Sequence, residues 1–138
     1  MFDHCLYFNA TALARVVERE WAAAFKPFGL TPPQAFLLRV VLAEPARAPH
    51  ELATELTIAR PTATRLIDGL EKLGLVEPRA HASDGRRSTV HPTKRALLLQ
   101  GPIHDASGRV TQRIQELIGK KTFADAVNSV KGVCAALK

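Results

Sequence analysis

The segment from Arg60 to Leu73, followed at once by Gly74, constrains this chain more than any other stretch. At about 100° per residue, Ala63, Leu66, Ile67, Leu70 and Leu73 share one side of a helix. Pro61, Thr64, Arg65, Asp68 and Lys72 share the other. The apolar side demands a packing partner, whereas the outward side is rich in hydroxyls and guanidinium near its N-terminal end. Gly74 stands where a left-handed cap is wanted, so the chain turns sharply out of the helix. An amphipathic helix alone is also what an ordinary core helix with a solvated face looks like.

Its neighbours narrow the choice. Pro49 to Leu56 reads as a short helix that ends just before Thr57-Ile58-Ala59, so two helices flank a tight turn. Leu75-Val76-Glu77-Pro78-Arg79 leaves as an extended segment, Ser83-Asp84-Gly85-Arg86 supplies a hairpin turn, and Ser88-Thr89-Val90-His91-Pro92 returns. Pro78 and Pro92 suit only a short or edge ribbon, because proline cannot donate to a ladder. Helix, turn, helix and a hairpin with a basic tip make a winged helix-turn-helix. The fold class expected is mainly α with a small β-wing.

These residues resemble the MarR family of bacterial transcription regulators. The resemblance rests on Leu52-Ala53 to Leu56, Arg60-Pro61-Thr62 with Thr64-Arg65-Leu66, Asp68 to Leu70-Glu71, Gly74-Leu75-Val76-Glu77, Asp84-Gly85-Arg86-Arg87, and Thr93 with Leu98-Leu99. It covers essentially the whole chain, and the wing is its most specific part. It implies that Pro61, Thr62, Thr64 and Arg65 read the major groove of double-stranded DNA, that Arg86 enters the minor groove, and that Asp84 holds Arg86 in place. It also implies a two-fold dimer whose first and last helices interlace, with half-sites about one helical turn apart. Two positions depart from the family pattern. Ala59 stands where a Ser or Thr commonly caps the recognition helix, at a cost of about 1 kcal/mol. Ala96 replaces the glycine usual after the wing and is the better helix former.

The charge distribution agrees with an anionic partner. The chain of 138 residues carries a net charge of +6 and is long enough for one domain with its own core. Residues 60 to 95 hold eight Lys/Arg against four Asp/Glu. Arg60, Lys72, Arg79 and Arg87 are the expected phosphate contacts. No apolar run approaches the roughly 20 residues needed to span a bilayer, and the N-terminus lacks a basic segment leading into an apolar one. A cytoplasmic protein without membrane contact is expected.

Outside the motif, Asp3 to Lys26 reads as one long helix that Pro27 and Gly29 end, with Leu6, Ala10, Leu13, Val17, Trp21, Ala24 and Phe28 at intervals of three or four. Thr31-Pro32-Pro33-Gln34 is a capping box for a helix to Glu44, apolar almost all round and therefore a buried hub. Thr93 caps a helix in which Gly101-Pro102 predicts a kink or break. Gly119 closes that helix, and Thr122 is expected to cap the last one, whose stripe is Phe123, Val127, Val130, Cys134 and Leu137. Residues 1–30 and 100–138 are thus read as dimerisation helices, and 31–99 as the winged helix-turn-helix region.

The signal is less defined. The resemblance implies a cavity for a small phenolic or carboxylic ligand between the dimerisation helices and the winged motif. Tyr7, Phe8, Trp21, Phe25, Phe28 and Phe36 could line it, or could equally be core packing. His4-Cys5-Leu6-Tyr7-Phe8 is similar to the N-terminal cysteine segment of the peroxide-sensing OhrR branch. Cys5 and Cys134 are therefore either a redox sensor, joined between subunits if their Cα atoms come within about 7 Å, or two small buried hydrophobes. The five histidines include no i, i+4 pair, which leaves no metal site, although His81 and His91 are expected to face each other across the wing. No glycine-rich phosphate loop, H-E-x-x-H or G-x-S-x-G motif suggests an enzyme, and no cofactor is implied.

The sequence thus points to a homodimeric DNA-binding regulator, expected to be a repressor of palindromic operators that a ligand or oxidant releases. A winged-helix module that binds a protein instead of DNA is the alternative.

Overall fold

The computed structural model describes the backbone of residues 1–81 and 84–138 and the side chains of all of these except 81 and 84–87. In chain order the elements are α1 (Leu6–Phe25), a 3-10 turn (Lys26–Phe28), α2 (Pro32–Ala43), α3 (Pro49–Leu56), α4 (Arg60–Lys72), β1 (Val76–His81), β2 (Asp84–Pro92), α5 (Lys94–Ile118) and α6 (Lys120–Leu137).

The hub is α2. Thr31 and Gln34 close the expected capping box: the Thr31 amide donates to Gln34 Oε1 at 3.0 Å, and the Gln34 amide donates to Thr31 Oγ1 at 3.4 Å. Ala35, Leu37, Leu38, Val41 and Leu42 are buried, and α2 packs against α1, α3, α4, α5 and β2. Each fully buried leucine contributes about 1.5–3 kcal/mol of transfer free energy. Because α2 is covered from so many sides, it fixes where the other helices point.

Helix α3 leads into α4 through Thr57, which adopts φ +56° without being glycine. Ala59 is the N-cap of α4 and offers no side-chain acceptor. At the other end Gly74 takes φ +73°, with its amide on Glu71 O at 2.9 Å and the Leu75 amide on Leu70 O at 3.0 Å. Thr93 then ties this exit to α5. Its hydroxyl donates to Gly74 O at 2.7 Å and accepts from the Ala96 amide at 3.3 Å, while its own amide bonds Leu75 O at 3.1 Å. The Arg95 guanidinium also donates to the Leu73 carbonyl, so it stabilises the end of α4.

The strands pair antiparallel, from Val76 opposite Pro92 to Ala80 opposite Ser88, with a register shift between Ala80 and His81. The expected turn at Ser83-Asp84-Gly85-Arg86 falls partly outside the described residues. His91 faces Glu77, and His81 faces Asp84, so the two histidines do not oppose each other. The wing has a further neighbour that the sequence did not announce. Ala46 and Arg47 bridge to Val90 through bonds of 3.2 and 2.9 Å.

Two expectations about the C-terminal helices need correction. Helix α5 does not break at Gly101-Pro102 but runs unbroken from Lys94 to Ile118. Pro102 forfeits one bond to the Leu98 carbonyl, and buried Ala96, Ile103, Ala106 and Val110 on either side of it hold the helix as one unit. Thr122 does not cap α6. Gly119, at φ +91°, is the cap residue, and the Phe123 amide bonds its carbonyl at 3.0 Å, which leaves Thr122 inside the first turn.

No residue of α6 is buried, and α1 buries only Phe25. Leu6, Leu13 and Val16 of α1 and Val127, Val130, Val133 and Leu137 of α6 stand exposed.

The bare cap makes a direct prediction. Ala59→Ser should raise stability by about 0.5–1 kcal/mol by satisfying an orphan amide. The midpoint of denaturant unfolding should rise at an unchanged slope.

Candidate functional site

The apolar side of α4 is driven onto the core. Ala63 and Leu70 are fully buried, Ile67 nearly so, and Leu66 half-buried. Leu73, expected on the same side, is the C-cap residue and is exposed. Arg60, Pro61, Thr64, Arg65, Asp68 and Lys72 are consequently exposed. Among the described residues Arg60, Arg65 and Lys72 have no carboxylate partner, so their charges are available to an external anion. Thr64 donates its hydroxyl to the Arg60 carbonyl at 3.1 Å, which leaves its oxygen as an acceptor facing outward.

Thr62 is placed differently. It is half-buried and lines a cleft of about 400 Å³ with Pro32, Pro33, Phe36, Leu56, Ile58 and Leu66.

On the wing, Arg79 is engaged. Its Nη2 and Nε donate to Glu77 Oε1 at 2.7 and 3.2 Å on the same strand. His91 Nε2 lies 2.8 Å from Thr89 Oγ1. Burial first, and the Arg79 charge second, hold the His91 imidazole below the usual histidine range, while Glu77 opposes them. A neutral His91 adds no charge for a phosphate. The side chains of Asp84, Arg86 and Arg87 lie outside the described residues.

The six aromatic candidates do not gather at one place. Tyr7 and Phe8 are exposed in the first turn of α1, with Phe8 against Phe2 at 5.4 Å between ring centroids. Trp21 lies fourteen residues beyond Tyr7 on the same helix, about 21 Å away at the helical rise. Phe25 is fully buried and packs edge-on against Phe36 at 5.8 Å, so it is core. Phe28 is half-buried against the same core. Only Trp21 and Phe36 meet at a cavity, about 370 Å³ in volume and lined also by Ala14, Val17, Glu18 and Pro32.

A larger cavity of about 690 Å³ lies on the other side of Phe36, between α2 and α5. Arg39, the one cation in the apolar middle of α2, and His104 line it. Arg39 Nη1 donates to Ser107 Oγ at 3.1 Å, Arg39 Nη2 lies 3.2 Å from His104 Nδ1, and the guanidinium carbon sits 5.1 Å from the Phe36 ring centroid. Trp21 Nε1 donates to the same Ser107 oxygen at 3.0 Å. Sequence reading missed this cluster. The available signal was a lone arginine in an apolar helix and a His and Ser three apart on one face of another.

Cys5 and Cys134 are both free and exposed, not buried hydrophobes. Among the described residues no three His, Cys, Asp or Glu side chains come together as a metal site, and no helix is long and apolar enough to cross a membrane.

Comparison with known proteins places this arrangement. The model of the MarR family matches residues 28–87, from the end of the 3-10 turn into β2. The chain is similar to the transcriptional repressor CouR bound to a 23-mer DNA duplex, with 27% identity, a TM-score of 0.85, and coverage of 97% of this chain and 94% of that one. MepR of S. aureus, solved with DNA, gives 16% identity and a TM-score of 0.85 over 95% and 96% of the two chains. The PcaV regulator of Streptomyces coelicolor, in complex with its natural ligand, gives 21% and 0.78 over 91% and 92%. At these identities the last two show the fold. No match was found among curated proteins. With the family's model on its motif and a similar fold along its length, the chain is a winged helix-turn-helix protein similar to the MarR family of regulators.

Proposed function

We propose that the chain is a homodimeric, cytoplasmic transcription regulator that represses from palindromic operators and is released by a small ligand or an oxidant. The observation that carries this reading is the exposure of Arg60, Arg65 and Lys72 with no carboxylate partner among the described residues, on a helix whose opposite face is buried. Such a face binds phosphates through charge and base edges through its N-terminal side chains. The similarity to a repressor bound to DNA supports it. Residues 31–99 then carry the DNA, with Arg65, Thr64, Pro61 and Thr62 nearest the bases and Arg60, Lys72, Arg79 and Arg87 on phosphates. Arg86, positioned by Asp84, is assigned to the minor groove on the family resemblance. The reading includes no enzymatic step.

The apolar surfaces of α1 and α6 suit the pairing of two copies through residues 1–30 and 100–138. Exposed Cys5, with Cys134 on α6, is the site an oxidant would reach. Trp21 and Phe36 flank the space for a small aromatic or carboxylic ligand.

The test is fluorescence anisotropy with a labelled duplex from the region upstream of the protein's own gene, across a salt series. Arg65→Ala should weaken binding by about 1–3 kcal/mol and blunt discrimination between operator and scrambled duplex. Unchanged affinity in that variant would instead favour a module that docks on protein.

Glu77→Gln should act in the opposite sense. It frees Arg79 from its ion pair, so binding at low salt should tighten by about two- to fivefold and the advantage should fade as salt rises. For the dimer, Val130→Glu places a charge on an exposed apolar position of α6. Sedimentation should show a dimer become a monomer without loss of helix content.

A further inference from the structure

Ala46 takes φ +69°, a left-handed conformation that a residue with a Cβ rarely adopts. It stands between the end of α2 and the start of α3, where neighbouring contacts must hold it. Those contacts lead to the wing. The Ala46 amide donates to Val90 O at 3.2 Å, and the Val90 amide donates to Arg47 O at 2.9 Å. Val90 stands opposite Pro78 of β1, yet both of its backbone groups are bonded to the α2–α3 corner. At 3% exposure Val90 is sealed from water, so without that corner its amide and carbonyl would be buried and unpaired.

The Arg47 side chain holds the same corner from the helices. It is 19% exposed, and its Nη1 and Nη2 reach Glu44 Oε2 at 3.3 Å and Glu55 Oε2 at 3.7 Å. Glu44 is the C-cap of α2, and Glu55 lies in the last turn of α3. One residue thus ties both helices through its guanidinium and β2 through its backbone. An isolated surface ion pair contributes little, but a largely covered fork shared by two carboxylates has fewer ways to move.

We propose that Arg47 is the positioning residue that sets the wing against α2 and α3, and so fixes the separation of hairpin and α4 at which one duplex meets both. The inference rests on the DNA-binding part of the proposed function. Helix α4 needs no such clamp, because Ala63, Ile67 and Leu70 seat it in the core. Among the described side chains of the hairpin only Val76 and Val90 are buried, so its orientation depends on the corner. Loss of the clamp releases the wing and leaves α4 in place.

The test has one arm without DNA and one with it. In the free full-length protein, amide hydrogen exchange is followed by NMR. Arg47→Gln should speed exchange of the Val90 amide by about tenfold or more and leave the Leu38 amide of the core within about twofold. Arg47→Lys should recover only part of the protection, since an ammonium lacks the fork that reaches two carboxylates. In the second arm, hydroxyl-radical and dimethyl sulfate footprints are taken on the DNA upstream of the protein's own gene. Arg47→Gln should lose the minor-groove protection that the proposed function gives to the wing and keep the major-groove guanine protection under α4. Glu55→Gln gives the sharpest sign, and it also serves where Arg47→Gln does not fold. Removal of a negative charge would by itself tighten binding to DNA, whereas loss of the clamp should weaken the wing tract. Unchanged Val90 exchange in both variants, joint loss of wing and α4 protection, or tighter binding of Glu55→Gln with an intact wing tract would overturn the inference. A wild-type protein that protects no DNA would instead sink the proposed function, and Val90 exchange would still decide whether Arg47 holds the wing.

Discussion

The rest of the structure depends on the burial of α2. Leu37 and Leu38 are fully enclosed, Val41 nearly so, and five other elements close around them. The burial is non-directional, and only amphipathic neighbours can satisfy it without leaving apolar surface in water. The strongly two-sided α4 lays Ala63, Ile67 and Leu70 inward, and its basic side is left outward as the geometric remainder. The outward basic character of α4 is thus as much a product of the core as of its own arginines. The same helix carries Arg39 at the edge of the core, so the hub also reaches the cavity near the α1–α5 junction.

Much of the motif was legible in the sequence because its signals are local. Thr31 with Gln34, Gly74 after Leu73, and Thr93 before α5 act through groups a few residues away, and all three occupy the positions the sequence assigned them. Ala59 likewise stands as the uncapped start of α4. Boundaries were less legible where a backbone cap replaced a side-chain one. Thr122 was a plausible cap, but Gly119 could adopt a positive φ and stopped and restarted the chain in one step. Pro102 does not break α5, because its local penalty competes with long-range packing that sequence periodicity does not weigh.

The candidate site was legible in its identities more than in its pairings. Charge alone could not show that Arg79 folds onto Glu77, that Arg95 holds the Leu73 carbonyl, or that His91 faces Glu77. The His91–Glu77 pairing depends on strand register, the other two on side-chain reach, and one irregularity between Ala80 and His81 resets the partners near the tip. Aromatic spacing had the same weakness. Phe25 and Trp21 recur at helical intervals, yet one is sealed in the core and the other reaches Ser107 across the gap to α5.

The central claim is that two copies of this motif read DNA together. Hydroxyl-radical footprinting of the wild-type protein on the DNA upstream of its own gene tests it most directly. The account predicts two protected tracts on each strand, related by a dyad and about one helical turn apart. A single unsymmetrical tract, or cleavage unchanged even at saturating protein concentration, would contradict it.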